Sequence, residues 1–184
     1  MEAMMVAFPK DKLWISIQNH IIGSEGIEYG FLNRLAFENR WSKEFSLEAL
    51  EEYKKFIYLL CRCSHPVTPS VEVDQVWHLH LLYTRDYWDE FVPKLAKVPH
   101  HGPTEGGYEE ARKFKEYYKN TLISYQKFFD AVPPPEIWPK SELRFQPNYQ
   151  IKLFDPRKFI VVRKVEFITF ISLTFAYLIF LVLN

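Results

Sequence analysis

A chain of 184 residues, 17% of them aromatic, can form one domain of ordinary size with a small appendage, and it has ample apolar material for a core. Basic and acidic residues both number 23, so the formal net charge is zero, which excludes a global positive field that would draw the chain onto nucleic acid. The two cysteines, Cys61 and Cys63, are too few for a disulfide framework and favour a reducing compartment.

Residues 1–131 are predicted to form an all-α domain, because apolar residues recur at three- and four-residue steps and no run alternates as a strand would. Helical patterns cover 10–22 and 29–41. Ser46 is the predicted N-cap of a helix from Leu47 to about Cys61. The residues predicted to face inward are Leu47, Leu50, Tyr53, Ile57 and Leu60, and those predicted to face outward are Glu48, Glu51, Glu52, Lys54 and Lys55.

Two further helical regions follow. Thr68 and Pro69 predict a helix start, since proline fits the first helical position, and Thr84 predicts a second start that divides this region into two helices ending before Pro93. The stretch from Gly107 to Asp130 has the strongest amphipathic pattern in the chain. After it, residues 132–139, VPPPEIWP, are predicted to be extended and polyproline-like.

The first of these helical regions carries the motif VDQVWHLHLLYTRDYW, residues 73–88. Residues four apart on a helix differ by roughly 40° in direction, so Asp74 and His78 share a face, whereas His80 points away from it. His100 and His101, which follow Val98 and Pro99, are the obvious further ligands from a loop. The sequence therefore predicts a candidate metal site formed by Asp74, His78, His100 and His101, suited to zinc or another divalent transition metal.

A structural role for the same motif remains open. In that interpretation Trp77 and His80 pack inward, a backbone carbonyl satisfies the His80 imidazole, and Asp74 and His78 bond to each other or to the histidine loop. A second, weaker candidate is CRCSH, in which Cys61, Cys63 and His65 could bind zinc, although buried cysteines more often behave as small apolar residues.

The last part of the chain predicts a membrane span. The segment Phe167–Leu183, FITFISLTFAYLIFLVL, has seventeen residues without charge, proline or glycine and would extend over roughly 26 Å as a helix. The positive-inside bias then places the preceding basic residues, and with them the helical domain, in the cytosol. These juxtamembrane residues are Arg157, Lys158, Arg163 and Lys164.

The prediction is therefore of three parts: a helical domain over 1–131, a proline-rich and basic connection over 132–164, and a transmembrane helix over 165–184. The start of the chain, MEAMMVAFPKDK, lacks the basic start and long apolar core of a signal peptide. A single-pass protein of the inner, cytoplasmic membrane is the predicted location.

Several motifs together resemble a known family. The run VTPSVEVDQVWHLHLLYTRDYW, then HHGPTEGG, YYKNTLISYQKFF, PPPEIWP and RF, is similar to bacterial relatives of the glycine-rich domain-containing protein-like family, whose plant members carry a similar VDxxWHxH signature. The resemblance covers about Phe56 to Phe145. It implies importance without assigned roles for six residues: Asp74, Trp77, His78, His80, His100 and His101. The family has no established activity to carry over, and this sequence lacks the glycine-rich tail that similar bacterial proteins often have.

Two classes of function follow from the sequence. The favoured one is a noncatalytic accessory or scaffold subunit of a membrane complex, whose partners are the lipid bilayer and other membrane subunits, because few acid and base groups lie near the motif. Thr169, Ser172, Thr174 and Tyr177 also offer polar groups for contacts between membrane helices. The alternative is a metal-dependent hydrolase, in which the Asp/His cluster holds a metal that activates water.

Overall fold

The structure is a computed structural model that describes residues 11–23, 29–102, 104 and 106–146. This part of the chain is helical and contains no strand, which confirms the all-α prediction. Six α-helices occur in it: α1 Lys12–Gln18, α2 Phe31–Asn39, α3 Lys43–Arg62, α4 Val71–Leu82, α5 Tyr108–Phe129 and α6 Ser141–Arg144. Between α4 and α5 lie a π-helical segment, Asp86–Phe91, and a 3₁₀ turn, Val92–Lys94.

Helix α3 is the centre of the domain and packs against α1, α2, α4 and α5. Its apolar stripe buries Tyr53, Phe56 and Ile57 completely. Fully buried aromatic side chains from other elements, such as Tyr87 and Tyr118, complete the same core. Any side chain on the inner face of α3 can therefore meet residues that are distant along the chain.

The start of α3 differs from the prediction. Ser42 is the N-cap, because its side chain accepts a hydrogen bond from the Phe45 N–H, and the helix begins at Lys43. Ser46 lies one turn inside the helix, where its hydroxyl donates to the Ser42 carbonyl at 2.8 Å. The predicted capping role of Ser46 is thus wrong. Serine at either position satisfies the capping rule, but the earlier one adds a turn that places Phe45 against the core.

The predicted faces of α3 are also wrong at two positions. Leu47 was expected to face inward and is 50% exposed, whereas Glu52 was expected to face outward and is only 5% exposed. Glu52 accepts hydrogen bonds from the Trp138 indole, the Tyr125 hydroxyl and the Lys55 ammonium, at 2.8, 3.1 and 2.7 Å. A carboxylate that accepts three hydrogen bonds can be buried at a moderate cost in free energy. The pattern of charged residues along the sequence does not reveal such partners.

Helix α4 begins slightly later than predicted and ends as expected. Its N-cap is Ser70, which accepts from the Val73 N–H, while the Thr68 N–H donates to the Thr121 side chain. The helix stops at Leu82, and the helical conformation resumes at Thr84, which confirms the second start predicted there. The continuation becomes π-helical over Asp86–Phe91, a conformation that the sequence did not indicate.

The proline-rich segment is only partly extended. A turn forms where the Ile137 and Trp138 N–H groups both donate to the Pro134 carbonyl, and both of these side chains are buried in the core. Tyr118 in α5 donates to the Pro139 carbonyl at 2.8 Å and ties the end of the segment down. The compact unit to which this segment belongs ends at Gln146.

The membrane prediction needs a correction. Within the described ranges, no helix combines the length and the apolar character that crossing a bilayer requires. This finding conflicts with the prediction of a single-pass protein of the inner membrane. The predicted span, 167–183, and the basic residues before it lie outside the described residues.

Candidate metal centre

Asp74, His78 and His101 lie close together and are called the surface triad. His101 Nε2 is 2.7 Å from Asp74 Oδ1, and His78 Nε2 is 3.7 Å from Asp74 Oδ2. One ligand atom from each side chain lies within 4.8 Å of the other two. The side chains are 25%, 50% and 18% exposed for Asp74, His78 and His101, so the triad opens to solvent on the His78 side.

The α4 helix sets the spacing of two of these residues. Asp74 and His78 are one turn apart and project from the same face, as their spacing predicts. The third residue comes from the loop after the 3₁₀ turn, 27 positions beyond Asp74, and its approach confirms the predicted contact between the histidine loop and α4. The Ser70 cap fixes the first turn of α4, next to Asp74.

Two aromatic side chains hold the loop in place. The Tyr87 hydroxyl donates to the Pro99 carbonyl at 3.0 Å and accepts from the Trp77 indole N–H at 3.0 Å. The Trp77 ring also stands edge-on to the His101 ring, with centroids 4.6 Å apart. Trp77 and Tyr87 thus restrain the backbone two residues before His101 and the His101 ring itself.

His100 is the one predicted ligand that the structure does not bring to the triad. It is exposed, and it is absent from the group of atoms that lie within 4.8 Å of one another. His101 alone supplies the loop ligand. Three of the four residues predicted to form a polar cluster therefore lie together in the structure. Metal binding by this cluster stays a prediction.

A second group, the buried triad, consists of His20, His80 and Asp86. Asp86 Oδ1 lies 2.9 Å from His20 Nε2 and 2.8 Å from His80 Nε2, and Asp86 Oδ2 accepts from the Gly23 N–H at 3.0 Å. His80 is completely buried and His20 nearly so. The predicted inward orientation of Trp77 and His80 is confirmed.

Each ring nitrogen of the two histidines in the buried triad has a hydrogen-bond partner. A carboxylate only accepts, so each imidazole donates its Nε2–H to Asp86. The Nδ1 atoms then accept, from the Tyr53 hydroxyl at 2.8 Å for His80 and from the Lys94 ammonium at 3.0 Å for His20. A metal on the Nε2 atoms would move the His20 proton to Nδ1, where it would face the Lys94 ammonium, another donor. The network therefore disfavours a metal at this position.

The pKa values of His80 and Asp86 indicate a neutral imidazole at His80 and a charged carboxylate at Asp86. Burial lowers the pKa of His80 to about 4, despite the opposing effect of the Asp86 charge. Burial acts to raise the pKa of Asp86, but the hydrogen bonds from the Gly23 N–H and the two imidazoles outweigh it and lower the pKa. Asp86 therefore stays charged beside a neutral His80 imidazole, and the Lys94 ammonium bonds to the His20 ring at the outer edge of the network.

Sequence reasoning missed most of this network. A backbone carbonyl was the expected partner of His80, whereas Tyr53 and Asp86 are the observed ones. Asp86 lies six residues after His80, a spacing that no single regular helix brings together, and the break at Tyr83 followed by the π-helical segment makes the contact. His20 had one available signal, since it is a polar residue between the apolar positions Ile17 and Ile22.

The CRCSH segment does not form a metal site among the described residues. His65 is occupied by the Ser124 hydroxyl at 2.8 Å and the Pro66 carbonyl at 2.9 Å, and none of its three candidate ligands occurs in either triad. Cys61 Sγ lies 3.9 Å from the Lys97 carbonyl. Burial raises the pKa of the Cys61 thiol, which favours the thiol over the thiolate that zinc requires.

Comparison with known proteins finds weak sequence similarity between this chain and two plant proteins. It is 28% identical over 90 residues to glycine-rich domain-containing protein 1 of Arabidopsis thaliana, and 24% identical over 90 residues to glycine-rich domain-containing protein 2. Each match covers 46% of this chain and 11% of the relative. No protein-family model and no solved structure matches. Over part of its length, the chain is therefore distantly similar to the two glycine-rich domain-containing proteins.

Proposed function

We propose that this chain is a noncatalytic accessory domain that binds one divalent transition metal of the zinc type at the surface triad. The observation that carries the proposal is the convergence of one carboxylate and two imidazoles within 4.8 Å. Ligand atoms of one tetrahedral zinc lie about 3.4 Å apart, given zinc–nitrogen distances near 2.1 Å. The observed separations of 2.7 and 3.7 Å bracket that value, so small side-chain rotations would complete the site.

The contrast between the two triads supports this choice. In the buried triad every ring nitrogen already has a hydrogen-bond partner. In the surface triad the 3.7 Å separation of His78 from Asp74 is too long for a hydrogen bond. His78 therefore keeps a ring nitrogen that an ion can use without breaking a strong contact.

The accessory role draws on the comparisons. The plant relatives are much longer than this chain, which spans 11% of their length, and a domain of that relative size is typical of a module that serves a larger protein or assembly. We further propose that the VDxxWHxH motif, with Asp74 and His78, is what this chain shares with its plant and bacterial relatives. The proposed role involves partner proteins and does not depend on a membrane location.

A metal-dependent hydrolase is the second candidate function. The exposure of His78 favours it, because a site that is open on one side can admit water and substrate to the metal. In this interpretation Asp74, His78 and His101 are ligands, and His100 is the nearby exposed group that could transfer a proton.

Isothermal titration of the chelator-treated chain with zinc tests the proposal. We expect one ion per chain, with affinity reduced by more than about 100-fold in His78→Ala, because loss of a direct ligand should exceed the roughly 10- to 100-fold effect of an outer contact. His65→Ala is the matched control, since His65 is a partly exposed histidine outside both triads. Absence of zinc binding, or equal binding by His78→Ala, would contradict the proposal.

The same preparation separates the two functions. The zinc-loaded chain is incubated with p-nitrophenyl acetate and bis-p-nitrophenyl phosphate. A noncatalytic domain gives no hydrolysis above that of His78→Ala. Hydrolysis that requires both zinc and His78 would replace the accessory function by the hydrolase.

A further inference from the structure

The surface triad offers three ligand atoms, which is fewer than a transition metal ion takes. Zinc sites with a structural role are closed by four protein ligands, whereas sites with three protein ligands hold the fourth position for a molecule from outside. The described residues that could hold a metal here are Asp74, His78 and His101. Among the described residues, a fourth ligand is thus not supplied at this site.

The surroundings of the triad indicate where that position points. The Trp77 ring covers one side of His101, edge-on at 4.6 Å, and closes the inner side of the site. The His78 and His101 rings stand 4.5 Å apart, with His78 half exposed, so the opposite side faces solvent. A fourth ligand therefore approaches from outside the domain, past His78.

The charge of the site determines which chemical class is favoured. Two neutral imidazoles and one carboxylate leave a bound divalent ion with one uncompensated positive charge. An anionic oxygen donor would neutralise that charge, and carboxylate oxygens coordinate zinc at about 2.0–2.2 Å. Water neutralises the charge only if it gives up a proton, whereas a carboxylate brings its negative charge with it.

We infer that the surface triad forms an open metal site whose outward coordination position takes a carboxylate from another molecule. This inference rests on the proposed function, since it requires a bound metal. It deepens that function by naming the ligand class through which the domain contacts its partner. Among the described residues, His100 is an internal competitor, because it is adjacent to His101 and exposed.

The test uses the full chain loaded with slightly less than one equivalent of Co²⁺, whose visible d–d absorption reports the ligands of the ion. Acetate is titrated at constant ionic strength against sodium chloride. We expect a saturable spectral change with one acetate per cobalt ion, the same change in His65→Ala, and none with chloride. A spectrum that acetate leaves unchanged would overturn the inference.

A His100→Ala variant addresses the competitor. If the inference holds, this variant responds to acetate as the unmodified chain does. A response that appears only in His100→Ala would show that His100 closes the site and would overturn it. N-acetylglutamate amide is added in a parallel titration: a response equal to that of acetate indicates that a protein side chain can reach the ion, and a response to acetate alone restricts the donor to small carboxylates.

Different outcomes contradict the proposed function and the open coordination position. If the unmodified chain does not bind Co²⁺ with one-to-one stoichiometry, the proposed function fails. If it binds Co²⁺ but acetate has no effect, only the open position fails and the metal site stands.

Discussion

At the scale of single residues, Glu52 shows how a charged side chain can organise a core. Its carboxylate receives donors from α3 itself, from α5 through Tyr125, and from the proline-rich segment through Trp138. Burial raises the pKa of Tyr125, and the nearby Glu52 carboxylate raises it further. Three chain segments are therefore joined at one buried negative charge.

We predict that Glu52→Ala lowers the free energy of unfolding by about 3 kcal/mol, because it removes the acceptor of the buried Trp138 indole and Tyr125 hydroxyl and the carboxylate paired with the half-buried Lys55 ammonium. Urea denaturation followed by tryptophan fluorescence measures the change. Glu48→Ala is the control, since Glu48 is exposed on the same helix and its loss should change stability by less than about 0.5 kcal/mol. Equal effects of the two substitutions would show that the buried contacts of Glu52 contribute little.

Tyr87 is the residue through which the core holds the histidine loop. We predict that Tyr87→Phe weakens zinc binding by roughly tenfold, because it removes the hydrogen bonds to the Pro99 carbonyl and the Trp77 indole while it leaves every ligand intact. Isothermal titration of the folded variant measures the affinity. Tyr108→Phe, at an exposed position, should bind zinc as the unmodified chain does. Unchanged affinity in Tyr87→Phe would mean that the loop holds His101 without this contact.

At the scale of helices, local patterns and long-range contacts differ in how far the sequence reveals them. The bounds of α5, Tyr108–Phe129, agree with the predicted helix within a residue at each end, because its periodicity is strong and glycine precedes it. The shared face of Asp74 and His78 follows from helical geometry alone. The contacts of His80 with Asp86 and of Glu52 with Trp138 could not be predicted, since they depend on the π-helical segment and on residues 86 positions apart.

The two serine caps give a prediction at this scale. Ser70 and Ser42 each accept one backbone N–H, but Ser70 is completely buried and Ser42 is exposed. We expect Ser42→Ala to cost about 1 kcal/mol and Ser70→Ala about 2 kcal/mol, because water can replace only the exposed acceptor. Urea denaturation of both variants measures which substitution lowers the free energy of unfolding more. A larger loss for Ser42→Ala would contradict this account of the caps.

At the scale of the whole domain, α4 connects the two triads. Its outer face carries Asp74 and His78, and its inner face carries Trp77 and His80, which contact Tyr87 and Asp86 in the π-helical segment. The surface site therefore stands on an element whose opposite side is fixed by buried hydrogen bonds. A surface ligand set that is supported in this way is preorganised, which is what a metal site requires.

The buried triad predicts how the stability of the metal-free domain depends on pH. In the folded chain the pKa of His80 is lowered to about 4, from an ordinary value of 6.5, mainly by burial. An unfolded chain therefore binds a proton at this residue more readily, so the stabilisation is complete above pH 6.5 and is lost progressively as the pH falls towards 4. The loss attributable to His80 is on the order of 3 kcal/mol. The lowered pKa values of Asp86 and Asp11 lie below an ordinary value of 3.8, so these groups contribute little to this pH range.

We expect urea denaturation in the presence of a chelator to give a lower free energy of unfolding at about pH 4.5 than at about pH 7. The physical reason is that unfolding at the lower pH is accompanied by proton uptake at His80, which the folded core resists. A proton NMR titration of the folded chain provides the residue-specific measurement, in which the His80 ring signal should titrate with a midpoint near 4. A midpoint near 6.5, together with equal stability at the two pH values, would show that the Tyr53–His80–Asp86 network tolerates a charged imidazole.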